Sequence, residues 1–338
     1  MVTMGTASIL GVWATAVLAT VVSLGASAVL VARLERVAAR LGLREATLGL
    51  LAALAADGPE ITAALTGLLR GDHAIGVGVV VGSNAFNLAA LLGLAALRAG
   101  RIRFHRDVVV LTGSAGSVLA VVAVGAATGA LPPGVALGLA TLVFAAYLAV
   151  SSVHPATLGR APLPRRFRAN LARAVADEEA ELAAALDLAP GGPADAVVSG
   201  LALAVVIGAS SLLEHQASSL GAHYRVPGIL VGGVVLAAAT SLPNALSALR
   251  LARRGRGSAV LSTALNSNAL NLFAGLLVPA VVVGLGSYGP SGVLVASWSA
   301  ALTVGALLLA YGGRGLGRPA GAAVVVGYLG LVVVLAWR

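Results

Sequence analysis

The 338-residue chain has no cysteine, and all 22 of its basic residues are arginine. Without cysteine there are no disulfides, no thiolate metal sites and no cysteine nucleophile. Charged residues make up only 10% and aromatic residues 4%. A soluble domain carries about 25% charged residues, so there is too little charge here to solvate an ordinary globular surface. No arginine cluster holds more than one interleaved aromatic residue (Phe104 and Phe167), which argues against a nucleic-acid surface despite the net charge of +9. No basic segment precedes the first apolar stretch, so a cleaved signal peptide is not expected. The absence of lysine is a compositional bias.

What is present is hydrocarbon: 59% hydrophobic residues and a mean hydropathy of +0.97. Stretches long enough to cross about 30 Å of bilayer core occur ten times. They fall near 6–32, 44–69, 73–97, 107–129, 132–153, 196–218, 226–251, 258–286, 289–312 and 319–337. The expected fold is an all-α polytopic membrane protein with ten transmembrane helices.

Arginine sets the expected orientation. Counted over alternate loops, 19 of the 22 arginines fall on one side: Arg33–Arg44, Arg98–Arg106, Arg160–Arg173, Arg250–Arg256, and Arg314 with Arg318. Only Arg70, Arg225 and Arg338 fall on the other. By the positive-inside rule the N-terminus lies outside a cell membrane and the central loop is cytoplasmic. That loop divides the chain into a first five-helix repeat (1–153), a linker (154–195) and a second five-helix repeat (196–338). The linker turns from basic (Arg165-Arg166-Phe167-Arg168) to acidic (Asp177-Glu178-Glu179-Ala180-Glu181) and reads as a solvated helix.

The two halves repeat each other at an offset of 184 residues. Between positions 53 and 92, 14 of 40 residues equal their counterparts, including Pro59/Pro243, Arg70/Arg254, Gly71/Gly255, Ser83/Ser267, Asn84/Asn268 and Asn87/Asn271. Five spans per half is an odd number, so equivalent helices cross in opposite senses. Inverted repeats of this kind place a binding site at mid-membrane, where interrupted helices face each other.

Of the 13 carboxylates, Asp177, Glu178, Glu179, Glu181 and Asp187 are expected in the linker outside the bilayer, and Glu35, Glu45, Asp72, Asp107, Asp195 and Glu214 near span ends, which leaves Asp57 and Glu60 near the middle of the second span. An ionisable group there costs at least about 2.5–3.5 kcal/mol, so a functional role is the default expectation. The two acids are one helical turn apart, with Gly58-Pro59 between them. Proline removes a backbone donor and frees carbonyls, tolerated at depth only where they are buried in protein or line a cavity. Carboxylates with freed carbonyls are the oxygen ligands that hard cations such as Na⁺ and Ca²⁺ prefer. The second half offers hydroxyls and an amide at the matching break, Thr240-Ser241-Leu242-Pro243-Asn244. Ser83 with Asn87, and Ser267 with Asn271, each share a helical face and are expected to line the ion path. Asn84 and Asn268 point elsewhere and are expected to hydrogen-bond between helices. His73 and His215 are read as incidental. Two carboxylates a turn apart also compete for a proton, which makes H⁺ a candidate coupling ion.

These segments resemble the α-repeats of the cation/Ca²⁺ exchanger superfamily, whose pattern is Gly-Thr-Ser-x-Pro-Glu followed by Gly-Ser-Asn-x-x-Asn/Asp. The first repeat reads Ala55-Ala56-Asp57-Gly58-Pro59-Glu60 and Gly82-Ser83-Asn84-Ala85-Phe86-Asn87. The second reads Ala239-Thr240-Ser241-Leu242-Pro243-Asn244 and Asn266-Ser267-Asn268-Ala269-Leu270-Asn271. The resemblance implies Glu60 as the first-half acidic ligand, Thr240 and Ser241 as second-half oxygens, and Ser83, Asn87, Ser267 and Asn271 completing the central site. Asn244 stands where the family has its second glutamate, while Asp57 replaces a first-half serine.

The implied function is a secondary cation antiporter, not an enzyme and without a resident cofactor, exchanging Na⁺ or H⁺ for Ca²⁺ or a related cation by alternating access. The resemblance further implies that spans 1 and 6 move against the rest. Alternatives are a Na⁺/H⁺ exchanger without Ca²⁺ transport, or a membrane protein that binds ions without moving them. An intramembrane aspartyl protease would need a second aspartate from another helix, and Asp57 has none in prospect.

Overall fold

A computed structural model describes residues 6–42, 45–162, 164–183, 190–284 and 289–337. Arg44 and Arg338, counted above in the charge bias, lie outside the described residues. The helices, in chain order, are α1 (Thr6–Arg40), α2 (Glu45–Ala56), α3 (Gly58–Leu69), α4 (His73–Ala99), α5 (Arg106–Ala127) and α6 (Pro133–Ser152). The linker contributes α7 (Arg165–Ala183). The second half follows as α8 (Pro193–Tyr224), α9 (Gly228–Thr240), α10 (Leu242–Arg253), α11 (Gly257–Val283), α12 (Gly289–Gly313) and α13 (Arg318–Ala336).

Each of the ten apolar stretches is helical, but not all are single rods. Eight are continuous helices long and apolar enough to cross a membrane, and α9 with α10 forms a ninth span bent by 49°. The remaining stretch is two twelve-residue helices, α2 and α3, meeting at Asp57. The described residues thus give eight rods and two broken segments, interrupted where the sequence places its proline breaks. The breaks fall at the two prolines, which lack the N–H that would continue the helix.

The repeat is visible in detail. Asp57 (φ −81°, ψ −4°) and Ser241 (φ −82°, ψ 0°) hold nearly the same backbone conformation at the two breaks. Both halves then end the broken segment at a glycine in the left-handed region, Gly71 at φ 81° and Gly255 at φ 75°. The duplicated Arg-Gly pairs are thus helix C-termini, where only glycine adopts that turn without strain. Following the matched asparagines, α4 widens to a π-helix over Leu88–Leu94 and α11 over Asn271–Leu277. Such π stretches recur at functional sites.

α4 is the most buried span and packs against α9 through glycines. A side chain at Gly82 would collide with the Gly233 backbone, and one at Gly78 would stand 3.0 Å from the Gly233 nitrogen. α1 lies along α8, joined by the Ser23 and Ser210 hydroxyls at 2.7 Å and by Arg33 to Asp195 at 2.8 Å. The arginine-rich segments gather at one end. There Arg101–Arg103 pairs antiparallel with Gly315–Gly317, Arg173 reaches Asp107 at 3.0 Å, and Arg256 donates to the Glu181 carbonyl.

The linker helix is not solvated as expected. Ala174, Val175 and Glu178 of α7 are buried against the bundle, and α7 packs on α5 and α11. Its apolar face was hidden among charges, and only docking reveals it.

Candidate cation-binding site

The breaks bring the two repeats together. Asp57 and Glu60 are both fully buried. The Asp57 Oδ1 accepts from Asn244 Nδ2 and from Ser267 Oγ, each at 2.6 Å. The Glu60 Oε1 accepts from Ser241 Oγ at 2.7 Å. Every one of these donors belongs to the other repeat. Among the described residues no arginine pairs with either acid, so each faces the opposite half through neutral donors.

A second layer follows the matched asparagines. Asn87 Nδ2 donates to Ser267 Oγ at 3.0 Å and to Asn268 Oδ1 at 3.1 Å. Asn244 Nδ2 also reaches Ser267 Oγ, at 3.3 Å. Asn84 and Asn268 exchange reciprocal bonds, each amide donating to the other's backbone carbonyl at 3.2 and 3.1 Å. They join the two π-bearing helices across the pseudo-twofold axis, as interhelical hydrogen bonds were expected to do. The Asn268 side-chain oxygen Oδ1 additionally braces Asn87, which the sequence did not suggest.

The oxygens left over define what the site can hold. Asp57 Oδ2, Glu60 Oε2, Ser83 Oγ, Asn87 Oδ1 and Asn271 Oδ1 are buried and have no hydrogen-bond partner. Unpaired buried oxygens of this kind are costly unless something positive meets them. The Thr240 hydroxyl donates back to the Leu236 carbonyl at 2.8 Å, which keeps its lone pairs available. One freed carbonyl has a different fate. Pro59 leaves the Ala55 oxygen without its helical donor, and the fully buried Ser27 on α1 supplies one at 3.2 Å. That carbonyl is therefore tied to α1.

Glu214, expected near the end of its span, is a further buried carboxylate. α8 runs on to Tyr224, so Glu214 lies within the helix, fully buried, with the Arg70 Nε at 3.8 Å. Neighbouring contacts on the same face join Thr66 to Ser211 at 3.0 Å and Ser218 to Asp72 at 3.1 Å. This polar seam lies between α3 and α8.

Comparison with known proteins bears on the family and the fold. The sodium/calcium exchanger protein family matches the chain twice, over residues 11–153 and 195–337. Native YfkE has a similar structure, with a TM-score of 0.63 at 17% identity over 97% of this chain and 95% of that one. The sodium-calcium exchanger NCX_Mj in a Na⁺-soaked form gives 0.60 at 17% identity, covering 96% and 99%. A putative antiporter CaxA from Alkalimonas amylolytica is 30% identical over 97 residues, 29% of this chain and 28% of the relative. At these identities the structures speak for the fold, while the double match carries the kinship. The chain is a multi-pass membrane antiporter belonging to the sodium/calcium exchanger family.

Proposed function

We propose that this antiporter exchanges Na⁺ or H⁺ for Ca²⁺ or a related cation, which binds between Asp57, Glu60, Ser83, Asn87, Thr240, Ser241, Asn244, Ser267 and Asn271. The observation that carries the proposal is the arrangement of Asp57 and Glu60. Each has one oxygen held by the opposite repeat and the other buried without a partner. Two negative charges with surrounding neutral oxygens suit one divalent ion, or monovalent ions taken singly. NCX_Mj structures soaked with Na⁺, Sr²⁺ or Ca²⁺ support cations of this class.

Because each acid is held by residues of the other repeat, relative movement of the repeats changes the ligand set, which is what alternating access requires. α1 with α8 is the candidate moving unit. It touches the break at Gly58, where an added methyl group would meet Val206 at 3.3 Å. The arginine-rich end faces the cytoplasm of a cell membrane, and the chain divides at 153 and 196 into its two repeats.

A Na⁺/H⁺ exchanger without Ca²⁺ transport is favoured by one observation. Asn244 is neutral and donates to Asp57, so the second repeat adds no charge. Proteoliposomes separate the two. Na⁺- or pH-driven ⁴⁵Ca²⁺ uptake is expected, and Na⁺-dependent pH recovery with no ⁴⁵Ca²⁺ movement would establish the second function instead. Absence of any ion flux would refute both.

A further inference from the structure

The linker helix inserts a carboxylate that the central site does not use. Glu178 on α7 is only 5% exposed. The Tyr147 hydroxyl of α6 donates to its Oε1 at 3.2 Å, while its Oε2 has no hydrogen-bond partner. Ser262 of α11 faces Glu178. Thr112 of α5, Ser151 of α6 and Asn266 of α11 face the Tyr147 hydroxyl. The hydroxyls of Thr112, Ser151 and Ser262 are buried, yet none makes a well-formed hydrogen bond.

Helix α7 is seated firmly over this cluster. His105 lies between Asp177 at 3.0 Å and Glu181 at 3.7 Å, and Glu181 Oε2 accepts from the Ala259 nitrogen at 2.9 Å. α11 then carries Ser258, Ser262, Asn266 and Ser267 from the arginine-rich end to Asp57. The mirror positions of Ser262 and Asn266 in α4 are Gly78 and Gly82, closed against Gly233. The polar run therefore exists on one side only.

We infer that Glu178, Tyr147, Thr112, Ser151, Ser262 and Asn266 form a second cation-binding position between the arginine-rich surface and the Asp57–Glu60 centre. It takes a single monovalent hard cation such as Na⁺. One carboxylate among neutral oxygens balances one positive charge. Among the described residues no group of three His, Asp or Glu side chains is arranged to hold a metal ion, and so none favours a divalent ion here. Only the position's role as a stage of transport rests on the proposed exchange function; binding does not.

The test uses the purified full chain with Asp57→Asn/Glu60→Gln, which removes both carboxylates of the central site. NaCl replaces choline chloride at constant ionic strength, and hydrogen exchange is followed in residues 165–183. Na⁺ at about ten times its Kd is expected to slow exchange there about tenfold. Adding Glu178→Gln should remove the effect. If Glu178→Gln unseats α7, so that exchange is fast without Na⁺, Ser262→Ala and Tyr147→Phe take its place. With α7 still seated, both should raise the apparent Kd for Na⁺. No Na⁺ effect in the Asp57→Asn/Glu60→Gln background, an effect that survives Glu178→Gln, or an unchanged Kd in both substitute variants would each overturn the inference. Absence of ion flux in the parent protein would count against the exchange function and leave this signal untouched.

Discussion

Asp57 and Glu60 stand one turn apart and yet hold different partners, Asn244 with Ser267 for one and Ser241 for the other. Each acid can therefore be tested separately. Asp57→Asn and Glu60→Gln should each lower cation flux by at least about tenfold, since a contact to a charged group is worth about 1.5–3 kcal/mol. Proteoliposome flux with matched protein content checks this, and wild-type flux in both variants would exclude these acids from the path. Asn244→Asp asks whether the missing second-repeat charge sets selectivity. It places a carboxylate beside Asp57, which a divalent ion can neutralise and a monovalent ion cannot. Calcium affinity measured by calorimetry should rise relative to Na⁺, and the ion-free protein should melt at a lower temperature. Glu178 gives a pH signature outside the spans. Burial pushes its carboxyl above the ordinary glutamate range, opposed by the contacts to Ser262 and Tyr147. The docked state thus holds a proton more tightly than the unfolded chain. Its contribution to stability is full below the ordinary glutamate value and is lost as pH rises through the raised native one. Hydrogen exchange in α7 should accelerate across that window, and Glu178→Gln should flatten the profile.

The two broken helices carry the site because proline removes a donor where a carboxylate or hydroxyl follows or precedes it. Such a break needs outside partners, and α1 supplies one. Ser27→Ala would leave the Ala55 carbonyl buried and unpaired, at a cost of about 1–3 kcal/mol. The expected result is a lower melting temperature, with a larger loss of flux than an exposed α1 substitution such as Leu18→Ala produces. Equal effects in both variants would mean that the Ser27 contact is incidental. Sequence made the breaks legible, since proline beside buried polar residues marks an interruption in any helix. It could not show that Ser27 answers Ala55, because that pairing depends on how α1 lies against α2. α7 failed in the opposite direction. Its charges suggested a solvated helix, and the buried Glu178 emerged only when Tyr147 and Ser262 were seen around it.

As a whole, the molecule is held together by two kinds of join, glycine-lined helix contacts and polar bonds between repeats. A cation that bridges the repeats binds the folded state alone, so it should raise the melting temperature with the logarithm of its concentration. At a hundred times Kd the gain is about 2.7 kcal/mol. Thermal unfolding in Na⁺ and Ca²⁺ series checks this, and a double variant Asp57→Asn/Glu60→Gln should lose the central-site part of the shift. The cysteine-free sequence also makes sidedness measurable without background labelling. Ala169→Cys on α7 and Ala222→Cys near the end of α8 are exposed positions. In intact cells an impermeant maleimide should label position 222 and not 169. The reverse result would invert the proposed orientation.

The sequence by itself determined the membrane class, the duplication, the two breaks and the polar residues beside them. These follow from composition, repeat spacing and the chemistry of proline, all local or periodic properties. Tertiary structure alone decided that each acid answers to the opposite repeat, that Asn84 and Asn268 clasp each other, and that Glu214 meets Arg70. It also decided that Glu178 leaves the solvent. Each of these depends on partners far away along the chain, and burial of a charge is set by what packs around it.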